Sequence, residues 1–371
     1  MKILFLGDYS NLHACLAKEL RGRGHEITVV SDGGRYMRTE ADVMLDRRPG
    51  TWGTLRYLMD IMRLWPKLKG FDVVQLINPH FAALRPERLR PLLKKLKSNN
   101  GNLFLTLAGD DHFFVKACTT ADTFRFSEFR IGTRRTEFAM RESVRESGWM
   151  LPEVADFNRE VYETVDGAMS VLPEYDMASR PILGDKLVFT NIPIELSTLP
   201  YTPLPEIGNG PLRILIGLRK SMEVQKGTAQ MVKIVEDMAR RNPRRFEIDI
   251  VNSIPLTEYL QHIQQNHIVL DQLYSYSPAT NALQTMALGR IAGSGGQPEF
   301  YRTIGWTDAE PVLRLDPSVN IEDTLWHLLR NPKEMQQRSL LGRRLVEQNN
   351  DVRIVADRFE QHWQNTLNRP S

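Results

Sequence analysis

Cysteine is nearly missing from this sequence. Cys15 and Cys118 stand far apart and outside any CxxC spacing, which argues against a thiolate zinc site or a redox pair and fits a reducing compartment. Long apolar runs are missing too. The stretch Ile3 to Leu6 is cut off by Gly7 and Asp8 before a signal-peptide core could form, so no export is expected. Nowhere do about eighteen apolar residues follow one another, and the mean hydropathy of −0.35 agrees that nothing spans a bilayer. The expectation is a cytoplasmic chain, soluble or peripheral at the inner face of the membrane. A surplus of charge is absent as well. With 48 basic and 45 acidic residues the net charge is +3, which names no nucleic-acid partner. Short repeats, low-complexity segments, a Walker lysine motif and GxSxG are all lacking.

What remains is ordinary globular text: 371 residues, long enough for two domains that each bury a core. Ile3 to Leu6 reads as a buried strand, Gly7 to Asn11 as a turn, His13 to Arg23 as a helix and Glu26 to Val30 as a second strand. Strands at Val73 to Ile77, Leu103 to Leu107, Ala168 to Val171 and Lys186 to Asn191 alternate with helical text at Leu55 to Leu68, Pro86 to Lys97 and Glu142 to Val165. This grammar predicts a parallel, helix-covered sheet. Residues 201–210, rich in Pro and Gly, read as a linker between a first domain over 1–200 and a second over 211–350. In the second, strands at Arg213 to Gly217, Phe246 to Val251, Ile268 to Leu273 and Arg290 to Ala292 alternate with helices at Thr228 to Arg240, Leu256 to Gln265 and Asn281 to Leu288. The tail is helical and closes with Arg353 to Leu367.

Each half opens with a strand, a glycine turn and a helix, a layout that points backbone N–H groups and the positive helix end at an anion. The first turn, GDYSNLH with Gly7, lacks GxGxxG, and Asp32 is the sole acid near the end of the second strand, so a dinucleotide fingerprint is not met. The second turn, IGLRKSMEVQKGT, sets Arg219 and Lys226 around a loop, with Gly227 and Thr228 opening the next helix. A guanidinium fork and an ammonium suit a diphosphate, which they would bind and neutralise as it leaves. The same loop also reads as a solvated surface turn. Downstream, in residues 271–301, Asn281 and Gln284 read as a cap and a surface amide, or as ligands of sugar and ribose hydroxyls. Glu299, in the turn Gly295 to Glu299, caps the next helix or does the same.

Taken together, these residues resemble the carboxy-terminal domain of GT-B glycosyltransferases, especially the large retaining family four and bacterial polysaccharide enzymes akin to it. The family's diphosphate-holding arginine and lysine-glycine pair match Arg219 and Lys226-Gly227; its loop and following helix match Ser277 to Gly289; its later glycine-rich turn matches Gly293 to Glu299. The first βαβ unit is similar too. The resemblance implies an α/β fold of two Rossmann-like domains with parallel sheets facing across a cleft, the closing helix packed back on the first domain, and a nucleoside-diphosphate sugar as donor. It implies transfer, by default with retention, to a hydroxyl of a saccharide or lipid-linked acceptor, and no obligatory metal.

The sequence also departs from the family. The usual paired glutamates, eight positions apart, fall on Tyr276 and Gln284. Gln284 keeps hydrogen-bonding capacity; Tyr276 cannot replace a carboxylate electrostatically. Glu299 is the nearest surviving acid. After the fourth strand Ala108 takes the place of the family histidine before Gly109, and Asp110, Asp111 and His112 follow, either as groups that position or deprotonate an acceptor hydroxyl or as a turn capping the next helix. A competing reading is a non-catalytic relative that binds a sugar nucleotide or a true transferase; an epimerase of the same fold would need acid and base groups that are not identifiable. Finally, Arg56, Arg63, Lys67 and Lys69, and the helix with Arg85, Arg88, Arg90, Lys94, Lys95 and Lys97 beside Leu84, Leu89, Leu92, Leu93 and Leu96, either dock on anionic lipid or present a solvated face above the sheet.

Overall fold

A computed structural model describes residues 1–32 and 40–368. The strands in chain order are β1 (Lys2–Leu6), β2 (Glu26–Ser31), β3 (Val43–Met44), β4 (Val73–Leu76), β5 (Asn102–Leu107), β6 (Arg130–Ile131), β7 (Arg134–Arg135), β8 (Gly167–Ser170), β9 (Leu187–Phe189), β10 (Leu212–Leu218), β11 (Phe246–Asn252), β12 (Ile268–Leu270), β13 (Ile291–Ser294) and β14 (Leu313–Arg314). Among the described residues seven form one sheet, in the order β3-β2-β1-β4-β5-β8-β9, and five another, in the order β11-β10-β12-β13-β14; every pairing in both is parallel. β6 and β7 make a separate antiparallel hairpin.

The chain divides into two compact units. One holds Met1–Ala117, Val144–Pro193 and Val352–Ser371; the other holds Cys118–Ser143 and Ile194–Asp351. The excursion from Cys118 to Ser143 therefore belongs with the second sheet although it lies between β5 and β8 of the first.

Within the first unit the strands are apolar on both faces, as a helix-covered parallel sheet requires. All four residues of β4 are buried, including Gln75. Its amide donates to Thr106 Oγ1 at 3.0 Å and its carbonyl accepts the Trp363 indole N–H at 2.9 Å. His13 Nε2 meets the same Thr106 hydroxyl at 3.1 Å, and its Nδ1 meets the Gly7 carbonyl at 2.7 Å. This polar chain through the core is satisfied at every member, so its burial adds specificity without orphaned groups. Trp363 lies on the helix Val352–Leu367 and is fully buried beside Phe5, Phe104 and Phe359. Outside this core Arg23 bonds Asp357 and Glu360, both at 2.5 Å, and His25 bonds Glu360 at 2.6 Å. The helix Pro86–Asn99 turns Leu89, Leu93 and Leu96 into the core. In the second unit Met231, Val235 and Met238 of the helix Thr228–Arg241 cover the sheet in the same manner. Helical text over Glu142 to Val165 resolves into Ser143–Trp149 and Pro152–Thr164, because Pro152 takes the first helical position and forces Leu151 to an extended conformation.

Replacing Trp363 by Ala should cost about 3–5 kcal/mol, from lost burial, the remaining cavity and the orphaned Gln75 carbonyl, read as a lower urea midpoint. Burial lowers the His13 pKa to about 3. The unfolded chain therefore takes up a proton near pH 6.5 that the folded chain refuses, and stability falls as pH drops from about 6.5 towards 3, at about 1.4 kcal/mol per pH unit for this group. His13→Gln should flatten that acid limb by about one proton in pH-dependent unfolding.

Candidate active site

In the second unit β10 runs into Arg219, which is exposed, and then into a short helix, Glu223–Lys226. Gly227 follows with φ +74° and opens the helix Thr228–Arg241. A Cβ there would lie 2.9 Å from Leu273 and 3.1 Å from the Tyr274 ring, so the loop closes this tightly only with glycine. The Leu273 N–H bonds the Lys226 carbonyl at 2.9 Å, tying the loop to the chain leaving β12.

The centre of this arrangement is Asp271, one residue past β12 and with a side chain only 2% exposed. Its Oδ1 accepts from the Lys226 ammonium and from the Asn281 amide, both at 3.0 Å. The ammonium keeps further donors. Four buried polar atoms around the carboxyl ends of β12 and β13 have no hydrogen-bond partner among the described residues: Asp271 Oδ2, Asn281 Oδ1, Ser275 Oγ and Ser294 Oγ. Unpaired polar groups cost about 1–3 kcal/mol each, which is characteristic of sites whose ligands complete the pairing. Gln284, on the same helix as Asn281, is half-buried.

Tyr276 is buried in an aromatic sandwich. Phe126 stacks on it with ring centres 4.8 Å apart, Phe124 lies at 5.3 Å, and the Arg125 guanidinium sits 5.1 Å from the ring centre. The Arg125 backbone N–H donates to the Tyr276 hydroxyl at 2.5 Å. Burial, opposed by this bond, raises the Tyr276 pKa. The guanidinium also grips Glu299, at 2.5 and 3.3 Å to its two oxygens, and the Gln297 carbonyl at 3.2 Å. Arg125 thereby holds the Glu299 carboxyl below its ordinary range, with burial opposing. Gln297 in turn donates to Asp316 at 3.0 Å. Thus Tyr276 and Glu299 meet at one arginine, while Lys226 and Asn281 meet at one aspartate.

In the first unit Gly7 follows β1 with φ +82°, where a Cβ would collide with Ile77. Its neighbour Asp8 accepts the His13 backbone N–H at 2.9 Å. Asn78, just past β4, donates to the carbonyls of Ala108 and Asp110 at 2.9 and 3.0 Å, fastening the turn after β5. Asp110 is half-buried. Asp111 caps the helix His112–Thr119 through the Phe114 N–H at 2.8 Å and accepts the Tyr162 hydroxyl at 2.6 Å. Desolvation raises its pKa. The His112 ring meets the Trp149 carbonyl at 3.0 Å. His80, beside Asn158 at 3.2 Å and against the Trp149 ring, is driven by burial to a pKa of about 4. Gly7, Asp110, Asp111 and His112 thus share the carboxyl end of one sheet, on strands separated by β4.

Sequence reasoning assigned no role to Asp271, Arg125, Gln297, Asn78 or His80. The signal for Asp271 in the sequence is an acid inside the largely apolar strand text Ile268 to Leu273; Arg125 carries none, because its partners lie more than 150 residues away in sequence. Among the described residues no group of three His, Cys, Asp or Glu side chains could hold a metal ion, and no helix is long and apolar enough to cross a membrane.

No protein-family model matches this chain, and no curated protein does. Solved structures do. A sucrose-phosphate synthase from Thermosynechococcus elongatus superposes with a TM-score of 0.65 at 12% identity, over 98% of this chain and 99% of the other. The Anabaena protein HepE, in complex with UDP and glucose, gives 0.59 at 10% identity over 98% and 100%. An alpha-glucosyltransferase in complex with UDP-glucose and DNA containing an abasic site gives 0.59 at 10% over 97% and 98%. The fold is GT-B. At these identities the likeness carries the architecture and not the activity.

Lys226→Met strands the Asp271 carboxylate. Because Lys226 is 30% exposed, the expected loss is about 2 kcal/mol, less than for a fully buried pair. Adding Asp271→Asn should restore most of it, which a double-mutant cycle in urea measures.

Proposed function

We propose that this chain transfers a sugar from a nucleoside-diphosphate sugar to a hydroxyl of a saccharide or lipid-linked acceptor. The observation that carries this reading is the Lys226–Asp271–Asn281 cluster at the carboxyl end of the second sheet, the end at which open α/β sheets bind ligands. In this reading Lys226 and Arg219 neutralise the diphosphate as the bond to the sugar breaks, the charge-stabilising work that fixed cations do well. Gly227 lets the backbone approach. Asn281, Gln284, Tyr276 and Glu299 hold donor hydroxyls, with Asn281 Oδ1 still open to a donor. Asp110 serves the acceptor, with Asp111 and His112 as the supports that shape its turn. The leaving diphosphate is stabilised by side chains, with no obligatory metal, and retention is the stereochemistry to test first.

The non-catalytic reading has one observation in its favour: the surviving acid Glu299 is already bound by Arg125, so a charged partner for the donor sugar is offset within the protein.

Thermal unfolding against nucleoside diphosphates and their sugars tests binding without an acceptor. A donor at a hundred times its Kd should add about 2.7 kcal/mol and raise Tm by several degrees. Arg219→Ala and Lys226→Ala should abolish the shift. Release of nucleoside diphosphate on adding acceptor separates transferase from binding subunit. Glu299→Gln that left donor affinity and turnover unchanged would remove Glu299 from the site.

A further inference from the structure

Among the described residues, large exposed apolar side chains elsewhere stand singly or in pairs along the sequence, but the helix Thr51–Leu64 carries a row of them. Trp52 is 83% exposed, Met62 72%, Leu55 46% and Met59 40%. Spaced at three and four residues, they line one stripe. The helix already has a core face in Tyr57, Ile61 and Leu64, so the stripe is a second apolar face, not the one that packing needs. Water-soluble helices ordinarily show charge there. Arg56 and Arg63 flank the stripe with side chains 67% and 77% exposed. Asp60 is the acid facing them, at 3.8 and 3.7 Å. Lys67 and Lys69 follow, both exposed. The helix Pro86–Asn99 is more basic but has no comparable second apolar face: Leu89, Leu93 and Leu96 are spent on the core, and Lys97 and Arg90 pair with Asp166 and Glu160.

We infer that the Thr51–Leu64 helix docks on the surface of an anionic lipid bilayer, inserting Trp52, Leu55, Met59 and Met62 among the headgroups while Arg56 and Arg63 contact lipid phosphates. The charge beside the stripe selects this occupant over a second copy of the chain, whose identical stripe would bring the same arginines together. An indole at one end of the stripe and arginines along its border are the composition that membrane interfaces favour. The inference stands apart from the proposed transfer reaction; bilayer binding is measured with no donor present, so either can fail alone.

Vesicle flotation tests it, with phosphatidylcholine vesicles compared with vesicles of two parts phosphatidylcholine to one part phosphatidylglycerol. The full chain should float with the anionic vesicles only, and less at high salt. Each arginine near an anionic surface is worth about fivefold in partition, so Arg56→Gln with Arg63→Gln should weaken it about thirtyfold. Trp52→Glu with Met62→Glu should abolish flotation, whereas Leu340→Glu, on an exposed apolar residue of the second unit, should leave it intact. Unchanged thermal unfolding would show that these surface variants fold. Failure of the wild-type chain to float, flotation unaffected by Trp52→Glu with Met62→Glu, or equal flotation with neutral vesicles overturns the proposal. So does a dimer in size exclusion that Trp52→Glu with Met62→Glu splits, which would make the stripe a contact between copies.

Discussion

A carboxylate withdrawn from water is tolerable only when donors surround it, and Asp271 imposes that constraint on the second unit. Its donors come from two separate segments, Lys226 from the short helix Glu223–Lys226 after β10 and Asn281 from the helix that follows β12. The turn and the helix start cannot move apart without leaving the charge bare. Gly227 permits the close approach, and the Leu273 to Lys226 backbone bond locks it. The position of the cation is thus set by desolvation, and the same economy leaves Asp271 Oδ2 and Asn281 Oδ1 unsatisfied.

Arg125 exerts a second, softer constraint. It draws Glu299, Gln297 and Tyr276 into one cluster, with Gln297 extending it to Asp316. Tyr276 brings no charge of its own to the site; its ring becomes a platform between Phe126 and a guanidinium. Charge is still present around Tyr276, but it is internally balanced.

The strands were legible because burial on both faces gives continuous apolar text: Ile3 to Leu6, Val73 to Ile77 and Leu103 to Leu107 announce themselves within a residue or two of β1, β4 and β5. Arg213 to Gly217 lies inside β10 for the same reason. Ile268 to Leu273 overran β12 by three residues, since Leu273 is buried through the loop contact with Gly227 and not through the sheet. The two-residue β3 and the β6–β7 hairpin were beyond reach; such short pairings are fixed by register and tertiary contact, with no periodicity to read. At the site the cations were visible from the glycine turn, but their partners were not. Pairing of Asp271 or Arg125 is a fact of three-dimensional proximity, and nothing in the spacing of Arg125 from Tyr276 encodes it.

The membership of the two units has a consequence for the order in which the protein can be made. The polypeptide passes from one unit to the other four times, so no single cut yields either as a continuous fragment. The strands of the first sheet precede residue 190, yet the indole that plugs its core, Trp363, is synthesised only after the whole second unit. Until then the Gln75 side-chain carbonyl lacks the indole donor, and Phe5 and Phe104 lack the indole's cover. The nascent chain therefore has to hold an unfinished hydrophobic surface through the synthesis of the whole second unit, and the first fold closes only once the helix Val352–Leu367 has followed it.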